Sequence, residues 1–221
     1  ALGMPLPTWP WLCRGHARAW AEGLPPHDAW QNPFVQRHFA PHLQARVLQL
    51  WAERAGFYAI LDRLPQIFCH FDYQRRNLLR RARADGRPEL VAVDWALCGI
   101  GPLGGELFSL VGSSALLLEW EPARLGELDD AAFAAYIAGL EEAGWQGSVD
   151  LVRLGYTAWM ALWCGLALPA ATAFWCIPER AARALQQFGH TQEEAAAAWA
   201  TLCAYWLERA DEARRLMAVL S

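Results

Sequence analysis

Two short runs decide how this chain is read. The first is Ile67-Phe68-Cys69-His70-Phe71-Asp72-Tyr73-Gln74-Arg75-Arg76-Asn77-Leu78-Leu79, and the second is Val91-Ala92-Val93-Asp94-Trp95. Together they set a His-x-Asp-x4-Asn spacing between two apolar runs and a second aspartate where a third apolar run ends. Residues 66–70, 77–81 and 89–94 predict short strands, because β-branched and apolar residues suit a pleated surface. Asp85-Gly86 predicts a tight turn between the last two. An aspartate ending a strand of Val and Ala is costly to bury alone, and a divalent cation is a suitable partner for it. Phosphoryl transfer needs a carboxylate at an attacking hydroxyl, hard oxygen ligands for Mg²⁺ and charge compensation for the phosphates. Asp72 as base, Asn77 and Asp94 as Mg²⁺ ligands, and His70 as a hydrogen-bonding brace meet those needs. Arg75 and Arg76 either face phosphate oxygens, which suit guanidinium, or are solvated or paired with a nearby carboxylate. The non-catalytic reading of the same residues is a buried polar network.

Outward from this core the chain reads as helical. Residues 41–63 form one amphipathic helix, with Val47, Leu50, Trp51, Ala55, Tyr58 and Leu61 at helical spacing. Residues 1–35 are rich in Pro and Trp and predict a short helix over 11–22. The glycine-rich segment 99–105 reads as a loop and 106–118 as an apolar helix. Further helices are predicted over 129–143, 148–168, 178–188 and 191–219. Thr191 and Glu194 form a capping box that starts the last of them. Residues 155–178 carry no charge and are long enough to span a bilayer. Pro169 predicts instead two buried helices broken near that residue, with no membrane partner. The fold class is mainly α with a small β-hairpin island.

Composition narrows the function. The 221 residues are 55% hydrophobic and 19% charged, which suits a folded core. The net charge is −4, so the basic excess of a nucleic-acid binder is missing and no nucleic-acid partner is expected. All nineteen basic residues are arginine. The six cysteines (Cys13, Cys69, Cys98, Cys164, Cys176 and Cys203) show no CxxC pair. Their apolar settings suit reduced thiols in a cytoplasmic protein, and Ala1-Leu2-Gly3-Met4-Pro5 shows no signal-peptide pattern.

His70-Phe71-Asp72 through Asn77, with Val93-Asp94-Trp95, resembles the aminoglycoside phosphotransferase and choline kinase superfamily. That family shows His-Gly-Asp, four residues, Asn-hydrophobic, and then Ile-Asp-Trp or Ile-Asp-Phe after a hairpin. The resemblance implies a protein-kinase-like fold, ATP as donor, Mg²⁺, and a small-molecule hydroxyl acceptor. It implies Asp72 as catalytic base, Asn77 and Asp94 as metal ligands, and Glu106 in place of an aspartate that braces the catalytic loop. Phe71 stands where glycine is usual, and Arg75 and Arg76 stand where small residues or Pro-Gly are common. The resemblance covers the C-terminal lobe: a helical lead over 1–65, a catalytic loop and metal hairpin over 66–118, and a helical acceptor-side subdomain over 119–221. Before His70 there is no run of alternating strands and no Gly-rich loop, and no lysine is present to pair with phosphates. An N-lobe missing from these residues is therefore expected as a partner. The expected function is an ATP- and Mg²⁺-dependent small-molecule O-kinase, this chain being its C-lobe and weakly active alone. The alternative is a non-catalytic binding or regulatory module on the same fold. The carboxylates of 119–221 would suit a polycationic acceptor and its tryptophans a quaternary amine, but core packing and solvation are the stronger explanation of both, and no acceptor is named.

Overall fold

The structure, a computed structural model, describes Arg18, Ala19, Glu22, Gly23 and residues 26–220. The helix expected over 11–22 falls mostly outside the described residues, of which Arg18, Ala19 and Glu22 are helical. A 3₁₀ turn, Asp28–Gln31, leads into α1 (Pro33–His38), whose N-cap Asn32 accepts from the amides of Phe34 and Val35. Helix α2 spans Pro41–Arg63, the predicted bounds. Proline at its first position forfeits no helical hydrogen bond. Its buried stripe is Leu43, Val47, Leu50, Phe57, Ile60 and Leu61, whereas Ala55 is exposed.

Four short strands follow. Strand β1 is Gln66–Cys69, β2 is Leu78–Ala82, β3 is Pro88–Ala92 and β4 is Gly99–Pro102. Strands β2 and β3 form an antiparallel hairpin with Leu78 opposite Ala92, and Gly86 takes φ +81° in its turn. The predicted third strand stops two residues early, before Asp94. Strand β1 pairs antiparallel with β4, Cys69 opposite Gly99 and Ile67 opposite Gly101. The loop expected over 99–105 is thus a strand in its first half. Its glycines serve close packing rather than disorder. A Cβ on Gly101 would lie 2.1 Å from the Phe71 ring, and one on Gly104 would lie 2.3 Å from the Val152 carbonyl.

The rest is helical: α3 (Leu107–Leu116), α4 (Leu125–Glu142), α5 (Val149–Met160), α6 (Ala167–Trp175), α7 (Ala181–Phe188) and α8 (Gln192–Leu220). Between α5 and α6 the chain does not break. A π turn over Ala161–Gly165 joins them into one helical run, and Pro169 lies inside α6. The expected break at Pro169 is therefore replaced by a widened turn upstream. Proline has no N–H for the Gly165 carbonyl four residues back, and a π turn absorbs such a mismatch. That carbonyl faces the Cys203 thiol instead, 4.0 Å away. The run Val149–Trp175 is long and apolar enough to cross a membrane, yet 72% of its most apolar window is buried inside the fold.

The final helix starts as the sequence indicates. Thr191 N–H and Oγ1 both donate to Glu194 Oε2, at 2.8 and 2.9 Å, and the Glu194 amide donates back to Thr191 Oγ1. Ala195, Trp199, Leu202, Cys203, Trp206 and Ala210 then present one buried stripe. Charged residues fasten this helix to its neighbours. Asp129 of α4 is 0% exposed and accepts from Tyr205 Oη, with Arg153 Nη1 at 3.5 Å and Arg209 Nε at 3.9 Å. Glu212 pairs with both arginines, at 2.6 and 2.7 Å. The carboxylates offset the arginines, so no charge in the network is buried alone.

Helix α5 packs directly on the end of β4, because a Cβ on Gly155 would lie 2.0 Å from the Leu103 carbonyl. Gly155→Ala is therefore expected to destabilise the fold by about 1–3 kcal/mol through overpacking. Gly126→Ala in α4 meets no atom within 4 Å. It is expected to stabilise by roughly 0.5 kcal/mol, because alanine loses less backbone entropy. Thermal denaturation of the two variants checks the contrast.

Candidate active site

The site begins where β1 ends. His70 follows the strand and is 2% exposed. Phe71 then takes φ +57°, the left-handed region that glycine occupies most easily. Holding a larger residue there costs about 1–2 kcal/mol. The Phe71 ring is buried, stacked on Trp159 with centroids 5.3 Å apart, in the space that Gly101 leaves open. Burying a phenyl group contributes roughly 1.5–3 kcal/mol, so burial offsets the strain. The departure from glycine at this position is thus tied to a compensating contact.

Polar bonds lock the loop that follows. The His70 amide donates to Glu106 Oε2 at 2.9 Å. His70 Nε2–H donates to the Val93 carbonyl at 2.9 Å, and Nδ1 accepts from the Asp72 amide at 3.2 Å. One ring nitrogen donates and the other accepts, which fixes the tautomer and leaves neither nitrogen for proton transfer. Glu106 sits just before α3, and burial pushes its carboxyl above the usual range, against the lowering effect of the His70 amide. Ser109 extends the brace: its hydroxyl accepts from the Tyr73 amide at 2.8 Å and donates to the Glu106 carbonyl at 3.0 Å.

Asp72 and Asn77 form a unit. Asn77 is 7% exposed, and its Nδ2 donates to both the carbonyl and Oδ2 of Asp72, each at 2.8 Å. The backbone carbonyl accepts only from an N–H, so the amide orientation is determined and Oδ1 faces away from Asp72. Gln74 Nε2 donates to Asp72 Oδ1 at 2.6 Å. Among the described residues each carboxylate oxygen thus has one donor and retains a lone pair for a hydroxyl proton. The Val93 amide donates to the Asn77 carbonyl at 2.9 Å, which sets Asn77 beside the segment that ends at Asp94.

Asp94 has φ +60° and ψ +67°, a left-handed conformation that aspartate tolerates better than most residues. It is exposed, so the burial penalty inferred from its apolar flanks does not arise. Among the described residues its carboxylate has no hydrogen-bond or ion-pair partner. Asn77 Oδ1 and the Asp94 carboxylate are hard oxygen donors of the kind Mg²⁺ takes. Among the described residues no three His, Cys, Asp or Glu side chains form a self-sufficient metal site. Two protein ligands suit Mg²⁺, which keeps waters and takes substrate phosphates for the rest.

Arg75 and Arg76 lie in the 3₁₀ turn Arg75–Asn77, and both are exposed. Arg75 Nε is 3.5 Å from Glu119 Oε2 just beyond α3, a solvent-screened pair worth little in stability. Arg76 makes no ion pair among the described residues. Residue order alone does not single out Gln74, Ser109 or Trp95. Gln74 is one of four unspecified positions in the spacing, and Ser109 is a small residue in an apolar helix. Trp95 is 47% exposed, with its ring centroid 4.4 Å from that of His70 and 5.9 Å from that of Phe68.

The raised carboxyl of Glu106 gives a signed expectation. A carboxyl raised by folding binds more protons in the folded chain than in the unfolded one. Its contribution is fully present below the ordinary value of 4.5 and is lost as pH rises through the folded value. Glu106→Gln keeps an acceptor for the His70 amide and removes this titration. The variant is expected to gain stability relative to the parent as pH rises above 4.5, read by paired melting curves across weakly acidic pH. Phe71→Gly relieves the strained turn but empties the space between Gly101 and Trp159. Loss of a buried phenyl, about 3–5 kcal/mol, exceeds the relieved strain, so net destabilisation of roughly 1–4 kcal/mol is expected in denaturant unfolding.

Comparison with the curated proteins and with the solved structures yields no match. The pattern that defines the phosphotransferase enzyme family (APH) matches residues 9–146, more than half of the chain. That span takes in His70, Asp72, Asn77, Asp94 and Glu106. With the motif spacing and the braced loop around it, the chain belongs to the phosphotransferase enzyme family of aminoglycoside phosphotransferase and choline kinase-like proteins.

Proposed function

We propose that these residues form the catalytic-loop and acceptor half of an ATP- and Mg²⁺-dependent small-molecule O-kinase, corresponding to the C-terminal lobe of a protein-kinase-like fold. The observation that carries the reading is the split of labour at Asn77. Its Nδ2 orients Asp72, and its Oδ1 is left on the side away from that carboxylate. Asp72, with a free lone pair on each oxygen, receives the proton of the acceptor hydroxyl as that oxygen bonds to the γ-phosphorus of ATP. The bond from that phosphorus to the ADP oxygen breaks, and ADP leaves with the electron pair. Asn77 and Asp94 would hold Mg²⁺, which supplies charge neutralisation for the phosphates. His70 and Glu106 position the loop and do not touch the reacting atoms.

Two further features support the reading. Phe68 and Trp95 are both exposed and stack 5.9 Å apart beside the hairpin, an apolar surface suited to a nucleobase or a covering lobe. Arg76 is an exposed cation close in sequence to Asp72 and suits phosphate oxygens. A second reading, binding without turnover, is favoured by the absence of lysine from the 221 residues.

Mg²⁺-dependent ADP binding, measured by calorimetry, tests the first reading. Asp94→Ala is expected to weaken it at least about tenfold, and Asp72→Asn is expected to leave it intact. Mg²⁺-independent binding, or binding unchanged in Asp94→Ala, overturns the metal assignment. ATP turnover by the 221-residue chain is expected to be low, and substantial turnover would exclude the second reading.

A further inference from the structure

The β2–β3 hairpin, α3 and α4 border a groove of about 480 Å³ beside the catalytic loop. That size falls within the roughly 300–1,000 Å³ of small-molecule sites. Most of its wall is apolar: Leu78 and Leu90 come from the hairpin, Leu107 and Leu110 from α3, and Leu140 from α4. Gly139 of α4 leaves part of the wall bare, because a Cβ there would meet no atom within 4 Å. Two residues from the frame of the catalytic loop complete the lining, Tyr73 and Glu106. The Tyr73 amide is held by the Ser109 hydroxyl, and Glu106 accepts the His70 amide. Asp72 does not line the groove.

The lining holds three polar side chains, Glu106, Tyr73 and Tyr136. Burial, and then the Glu106 charge, push both phenols upward, so the three groups act on one another. Glu106 Oε2 is taken by the His70 amide, and Oε1 has no hydrogen-bond partner among the described residues. Nor does any arginine among them form an ion pair with Glu106. The Tyr136 hydroxyl accepts from the Gly104 amide at 3.4 Å, and its own hydrogen has no acceptor among the described residues. A half-buried carboxylate with one oxygen open to a groove and no cation beside it lacks a counter-charge. The other charges stand at the rim or face away. Strand β1 and α3 carry none. On the hairpin, Arg81 pairs with Glu89 on the far face, Arg83, Asp85 and Arg87 lie around the turn, and Arg80 shares the face of Leu90. On α4, Asp129 is met by Arg153 and Arg209, and Glu127 pairs with Arg124. The helical turn carries Asp130 and Glu141 to the opposite side and sets Glu142 at the groove's end, three residues after Gly139. Arg80 and Glu142 are exposed, opposite in sign and screened by solvent, so Glu106 decides the charge that the groove favours.

We propose that this groove binds a small apolar amine as an effector, with the protonated nitrogen on Glu106 Oε1 and the hydrocarbon body against the leucines. The ammonium supplies the missing counter-charge, and the Tyr73 and Tyr136 rings add attraction for it. The apolar wall gives affinity to the rest of the ligand. The occupant thereby meets the same carboxylate that holds the His70 amide. A carboxylate kept ionised accepts that amide more strongly than a neutral acid does, so occupancy tightens the catalytic loop. Neither ATP nor Mg²⁺ enters this assignment, which is independent of the phosphotransfer reading.

The test uses the 221-residue chain in calorimetry with 2-phenylethylamine and its uncharged counterpart 2-phenylethanol. The amine is expected to bind at least about tenfold more tightly than the alcohol. Gly139→Phe places a ring in space that no atom occupies and should weaken the amine at least about tenfold. Glu106→Gln keeps an acceptor for the His70 amide and should bring amine and alcohol within about threefold of each other. Asp72→Asn should leave the amine's affinity unchanged, because Asp72 is not part of the lining. Amide hydrogen exchange at His70, followed by NMR, should slow in the parent at saturating amine. The amine–alcohol contrast and Gly139→Phe decide the proposal even if Glu106→Gln does not fold. No amine binding, alcohol binding as tight as the amine, affinity unchanged in Gly139→Phe, or affinity lost in Asp72→Asn overturns the site. Unchanged exchange at His70 overturns the effector role.

Discussion

The carboxylate of Glu106 accepts the His70 amide, and the His70 ring donates to the Val93 carbonyl, so two hydrogen bonds join three segments far apart in the chain. Each group in this knot is buried or half-buried, and leaving any one unpaired would cost about 1–3 kcal/mol. The constraint propagates. It fixes where β1 stops, where α3 starts and where the chain leaves β3 for Asp94. Asp72 and Asn77 are oriented on top of that arrangement by bonds to one another and to Gln74. The oxygens of Asp72 and Asn77 are therefore held by a frame of hydrogen bonds, the preorganisation that the proposed chemistry calls for.

The knot needs a tight surrounding, and the aromatic and glycine residues supply it. Phe71 occupies a backbone region suited to glycine because its ring fills the space between Gly101 and Trp159. Glycines at 101, 104 and 155 let β4, the following turn and α5 approach to van der Waals contact. A strained turn, three bare backbone contacts and a stacked indole form one packing unit, so single changes within it are expected to be felt together.

The helical half does different work. Asp129, Arg153, Arg209, Tyr205 and Glu212 bind α4, α5 and α8 through a mostly buried charge network. Such networks add little net stability but penalise misregistered packing, because any slip strands a charge. With these helices set, the alanines of α6 and the aromatics around them leave a cavity beside the end of α3.

The sequence by itself determined the helix over 41–63, the β2–β3 hairpin, the capped start of the final helix and the Asp72, Asn77 and Asp94 spacing. Each is a local signal: helical periodicity, a turn glycine, a capping box and a short motif act within a few residues. The tertiary structure decided the rest. The glycines of 99–105 read as a loop, but their role as a strand depends on Phe71 and α5, which lie far away in the chain. Pro169 read as a break, but a π turn upstream carries the helix through it. Asp94 read as buried from its apolar neighbours, and only the left-handed turn after β3 turns it out to solvent. Burial and close approach are properties of the whole packing, so no window of neighbouring residues contains them.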